Sequence, residues 1–105
     1  MADINITGEV GGYEKLAVGT AAVSLTAGSL QPTGLRMAGA VITAETSPVR
    51  WRCDGGAPGT AAEEAGHTLG TSDALHLEGY NNLKNFKAVG DTGATDAVMH
   101  VTYYR

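Results

Sequence analysis

The sequence predicts an all-β fold: a single β-sandwich or jelly-roll-like domain of about seven or eight short antiparallel strands, preceded by a flexible N-terminal arm. Three observations lead there. Apolar and polar residues alternate through much of the chain, as in Val49-Arg50-Trp51-Arg52-Cys53-Asp54, and a period of two puts each residue type on its own face of a strand. Gly and Pro clusters punctuate the alternating runs, and 15 Gly in 105 residues is about twice the usual share. Helix-favouring sequence is confined to Thr60–Ala65, which Gly66 stops after about one and a half turns.

Residues 1–12 hold Ile4, Ile6 and Val10 among polar residues and three Gly. This composition is apolar enough to dock but too Gly-rich to pack alone, and it is read as an arm before a domain spanning 13–105. Leu16 and Val18, then Val23 and Leu25, alternate with small or polar residues on either side of Gly19-Thr20, which gives two strands and a turn. Ala27-Gly28-Ser29 and Gln31-Pro32-Thr33-Gly34 are loop signals. Met37–Ala44 is the longest apolar run; its β-branched Val41-Ile42-Thr43 and the later Pro48 favour a strand buried on both faces, with small residues allowing close approach of a second sheet.

The alternation over Val49–Asp54 turns Trp51 to the core and both Arg50 and Arg52 outward. Strands are also expected at Leu75–Glu78, across Leu83, Phe86 and Ala88-Val89, and at Met99–Tyr104. Gly79-Tyr80-Asn81-Asn82 and Gly90-Asp91-Thr92-Gly93 read as the turns between them.

The length suits one domain, and a core with one Phe and one Trp must be built mainly from Val, Leu, Ala and Tyr. A domain this small buries only about two-thirds of its unfolded surface, so a homo-oligomer, dimer or trimer, is expected to add burial. A formal net charge of -4 without a Lys/Arg cluster argues against nucleic acid. The single Cys53 excludes an intrachain disulfide, and no apolar run suggests a membrane span or a signal peptide.

Catalytic and ligand motifs were tested against their chemistry. Asp91-Thr92-Gly93-Ala94 matches the short aspartic-protease signature, but only 12 residues follow Gly93, too few for a flap and a supporting motif; a hairpin turn explains the same residues. His67, His76 and His100 with Cys53 lack the close spacing of a zinc site, and alternation turns Cys53 inward but His76 and His100 outward. Gly8-Glu9-Val10-Gly11-Gly12 and Gly55-Gly56 fit neither the Walker loop nor the dinucleotide fingerprint. No serine has a nucleophile-elbow context. The chain is therefore expected to be no enzyme and to need no cofactor or metal. Arg50 and Arg52 about Trp51, with Tyr80, Tyr103 and Tyr104, are the residue types enriched at protein interfaces.

One stretch resembles a known class. Val49-Arg50-Trp51-Arg52-Cys53-Asp54-Gly55-Gly56-Ala57-Pro58-Gly59-Thr60, then Gly66-His67-Thr68-Leu69, Leu75-His76-Leu77-Glu78-Gly79 and Asn81-Asn82-Leu83-Lys84-Asn85-Phe86, is similar to small β-rich structural proteins of tailed bacteriophages. There a strand with aromatic and basic residues leads into a Gly/Pro/Thr loop, a Gly-His turn and a strand ending in Glu-Gly. The resemblance implies a virion component assembled in the host cytoplasm, in head, neck or tail, with no catalytic residue to carry over. A capsid decoration or cement role is the expectation within that class, with the major capsid protein or another virion protein as partner. The interface residues expected are Ile4, Ile6, Val10, Arg50, Arg52, Tyr80 and Tyr104. A soluble carbohydrate-binding β-sandwich is the rival expectation, and its cue would be an exposed aromatic platform.

Overall fold

A computed structural model describes residues 9–32, 34–59 and 65–105. The strands are β1 (Val10–Val18), β2 (Val23–Ser24), β3 (Gly39–Glu45), β4 (Val49–Arg52), β5 (His67–Leu69), β6 (Ala74–Glu78), β7 (Lys87–Gly90) and β8 (Ala97–Tyr104). Two short helices join them, α1 (Ala27–Leu30) and α2 (Tyr80–Asn85), with a 3₁₀ turn at Asp91–Gly93. The strands form two four-stranded sheets in the orders β1-β8-β3-β6 and β2-β7-β4-β5, and every pairing is antiparallel. This is the jelly-roll arrangement of an eight-stranded sandwich. Only the β4–β5 connection stays within one sheet.

The alternation in the sequence becomes the core. On β8, Ala97, Met99, Val101 and Tyr103 are buried, and β3 sets Ala40, Ile42 and Ala44 beside them. Val49, Leu69 and Ala88 supply the facing sheet, while Leu25, Leu30, Met37, Leu83 and Phe86 close the ends from the connections. The β-branched centre of β3 is buried on both faces, since Val41 points away from the second sheet yet is 6% exposed.

Four expectations are corrected. The boundary at residue 12 falls inside a strand: Val10 pairs with Tyr104, Gly12 with Tyr103, and Glu9 exchanges two backbone hydrogen bonds with Arg105. Ala27-Gly28-Ser29, read as loop, lies in one turn of helix, Ala27–Leu30. Gly79-Tyr80-Asn81-Asn82 is no turn between strands but the start of α2, which Gly79 enters at φ 97°. The strand expected across Leu83–Val89 is consequently divided, with Leu83 and Phe86 buried from α2 and its end, and only Lys87–Gly90 in the sheet. Leu83 and Phe86 are three apart, a spacing that shares one face of a helix but falls on opposite faces of a strand. The short strand β5 carried too few residues to show a period. The predicted helical turn at Thr60–Ala65 lies almost wholly outside the described residues.

The small residue in β3 serves a different purpose from the one expected. Gly39 is the direct partner of Tyr104, and a Cβ there would meet Tyr104 Cζ at 2.5 Å and the Leu77 carbonyl at 2.8 Å. The glycine gives room to the tyrosine ring on the outer face of its own sheet, not to a second sheet.

Candidate functional site

β4 and β5 end at an open cleft of about 300 Å³, lined among the described residues by Trp51, Arg52, Cys53, Asp54, Gly66 and His67. Register builds its wall: Trp51 and His67 are cross-strand partners, with ring centroids 4.9 Å apart and planes tilted by 38°. Behind them Phe86 stacks on the indole at 6.0 Å. Trp51 thus keeps the inward register that its alternation predicts, but at the mouth of the sandwich, where it is only half-buried.

The cleft's polar side is a fork. Arg52 donates from Nε to Asp54 Oδ1 at 3.0 Å and from Nη2 to Oδ2 at 2.5 Å. The Gly56 amide donates to Oδ1 at 3.1 Å. The Arg52 bond, followed by that amide, holds the Asp54 carboxyl down at about 2, and Asp54 in turn raises the guanidinium above its usual range. Both groups stay ionised across ordinary pH and neutralise one another.

Arg50 differs from the expectation of an outward, solvated side chain. It shares the outer face with Arg52, yet it is 7% exposed, because the β4–β5 connection crosses it. A side chain on Gly66 would meet Arg50 Cγ at 2.6 Å and Pro58 Cβ at 2.9 Å. Its guanidinium donates from Nε and Nη2 to Asp91 Oδ1 at 3.1 and 2.8 Å. Asp91, the first residue of the Asp-Thr-Gly triplet, therefore sits in a turn, with Thr92 at φ 52°, and serves as the partner of a buried cation.

On the outer face of the β1-β8-β3-β6 sheet, two imidazoles each meet a tyrosine and a carboxylate. His76 Nε2 lies 2.5 Å from the Tyr104 hydroxyl and 3.1 Å from Glu78 Oε1, and that hydroxyl donates to Glu78 at 2.5 Å. His100 Nδ1 lies 2.5 Å from the Tyr13 hydroxyl, and its Nε2 lies 2.8 Å from Glu45 Oε1. The His100 hydrogen bond, with the imidazole's charge next, lowers the Glu45 carboxyl. Burial, then the Glu78 carboxylate, pushes the Tyr104 hydroxyl up to about 12. Tyr103 points the other way, into the sandwich, and donates to Glu14, whose carboxylate also accepts from Thr26; burial first, then Glu14, raises the Tyr103 hydroxyl.

The expected interface residues are not one patch. Ile4 and Ile6 lie outside the described residues. Val10 opens β1 and is 57% exposed. Arg50 is committed to Asp91 and Arg52 to Asp54. Tyr80 is half-buried at the start of α2 under the Arg36 guanidinium, 4.5 Å above its ring. Tyr104 is 2% exposed, covering Gly39, and is corrected from surface to buried. Tyr13, Leu35 and His67 are exposed but were not among the expected interface residues; the Tyr13-Lys15-Ala17 alternation was a signal for the first of them.

Among the described residues, no group of three or more His, Cys, Asp or Glu side chains converges as a metal-binding set. His76 and His100 occupy separate clusters, and His67 lies in the cleft. No family model, no curated protein and no solved structure matches the chain.

Proposed function

We propose that the chain is a virion structural protein of a tailed bacteriophage, a capsid decoration or cement protein that stabilises the head through protein–protein contacts. The observation that carries this reading is where apolar surface remains. Three large hydrophobic side chains are exposed among the described residues, and two of them, Val10 and Tyr13, at 57% and 60%, lie at the start of β1. β1 is an edge strand, and it directly follows Ile4 and Ile6 in the sequence. Apolar surface and an edge in one place suit addition of a strand by a neighbouring protein, where backbone hydrogen bonds give affinity and alternate side chains give specificity.

The rest of the β1 edge is guarded. Beyond the apolar end, Lys15 is exposed, and edge charge suppresses indiscriminate pairing. Contact confined to one end of an edge is individually weak, and repetition over a capsid lattice, together with dimer or trimer formation, turns it into firm attachment by avidity. The similarity of Val49–Phe86 to phage structural proteins supports the same class.

The test is co-sedimentation with phage heads. The full chain pellets saturably, and deletion of residues 2–8, which leaves β1 intact, releases it without moving the thermal midpoint. Equal pelleting of the truncated chain would remove the arm from the mechanism; a full chain that pellets with no heads, necks or tails would remove the virion reading.

A further inference from the structure

We propose that the cleft between the ends of β4 and β5 binds a neutral saccharide, a mono- or disaccharide unit, independently of any attachment to a particle. Size, electrostatics and hydrogen-bonding capacity point to this ligand class.

A volume of about 300 Å³ is at the small end for ligand sites. The cleft is open and lies at the end of β5, an edge strand. Its aromatic wall is the exposed His67 ring, packed against Trp51, on which Phe86 stacks in turn. Such a wall suits the C–H face of a sugar, which gains from aromatic contact without needing charge.

The Arg52–Asp54 fork sets the charge of the ligand. With the cation and the anion bonded to one another in two places, the cleft has no net charge. An anion would be drawn to Arg52 but opposed by Asp54, and a cation the reverse. Vicinal hydroxyls, each able to donate and accept, can use both groups at once. Asp54 Oδ1 already accepts from Arg52 Nε and Gly56, Oδ2 accepts from Arg52 Nη2, and Arg52 Nη1 donates to the Ala57 carbonyl at 3.4 Å, which leaves acceptor capacity on Oδ2 and one further N–H on each of Nη1 and Nη2. The Asp54 side chain is 61% exposed and that of Arg52 31%, so both are within a ligand's reach. The fork is also preorganised, since its internal bonds fix the geometry before a ligand arrives.

Trp51 is the only tryptophan, so emission excited selectively in the indole reports on this cleft. The intact protein is titrated with glucose, galactose, mannose, fucose, N-acetylglucosamine, lactose and maltose, and with acetate and phosphate, following Trp51 emission and heat of binding. Expected is a saturable response to at least one sugar and none to either anion. Asp54→Asn and His67→Ala each weaken the response, by about tenfold or more for Asp54→Asn, which loses a charged acceptor, with thermal midpoints near that of the parent. His67 lies exposed on an edge strand, so its variant stays informative if Asp54→Asn unsettles the Gly55-Gly56 turn. No saturable response to any sugar, preference for an anion, or sugar binding unchanged in both folded variants would overturn the assignment.

Discussion

Tyr104 lies across Gly39, its direct cross-strand partner, on the outer face of the β1-β8-β3-β6 sheet. An outward tyrosine thereby becomes 2% exposed, with its hydroxyl delivered to His76 and Glu78. Gly39→Ala places a methyl group against that ring and the Leu77 carbonyl. The expected cost is about 1–3 kcal/mol, as for overpacking elsewhere, read as a lower denaturant midpoint. Tyr104→Phe in the Gly39→Ala background removes the hydroxyl, the nearest atom, but leaves the contacts with Cζ and the Leu77 carbonyl, so it does not fully restore the midpoint.

The Arg50–Asp91 pair ties β4 to the turn before β8. Asp91→Ala leaves a largely buried guanidinium short of a carboxylate, and should destabilise the domain by about 1–3 kcal/mol. Arg50→Met with Asp91→Ala should recover part of that loss, because an apolar pair no longer needs the charge compensated. A double-mutant cycle from urea unfolding measures the coupling; additivity would show that the pair makes no net contribution.

Alkaline stability follows from the tyrosines. Folding raises both the Tyr103 and Tyr104 hydroxyls above the ordinary value, so the protonated forms are the ones the fold favours. The stability they contribute is intact below the unfolded value of about 10 and is lost as pH rises toward about 12 for Tyr104 and beyond it for Tyr103. Unfolding midpoints should hold steady up to about pH 10 and then decline. Tyr104→Phe should flatten the first part of the decline, and an unchanged slope would mean that other groups govern it.

Phe86 joins the core to the cleft. It is fully buried and stacks on Trp51 at 6.0 Å. Phe86→Ala should cost about 3–5 kcal/mol and also increase acrylamide quenching of Trp51, as the indole loses its backing. Loss of stability with unaltered quenching would show that β4 and β5 hold Trp51 without Phe86.

Much of the fold was legible because burial on a strand imposes a period of two. Val49-Trp51, Leu75-Leu77 and Met99-Val101-Tyr103 all display it, and each lies in or beside the core. Leu83 and Phe86 misled because apolar residues close to Ala88-Val89 look like part of the same strand, although a spacing of three shares a face of a helix and not of a strand. The cleft was only half legible: alternation turned Trp51 inward, but which end of a strand is open depends on what covers it.

Composition and alternation by themselves determined an all-β sandwich of short strands, because every strand must hide at least one face and most Gly or Pro clusters end one. Tertiary structure alone decided that Arg50 is buried and Arg52 half-open, although they sit two residues apart on the same face. It also turned the apparently exposed Tyr104 into a lid over Gly39, and set His67 beside Trp51. The reason is that all but one of the connections cross between sheets, so the neighbours that settle exposure, charge pairing and cleft walls come from distant parts of the chain. A local pattern specifies a strand's two faces but not what lies over them.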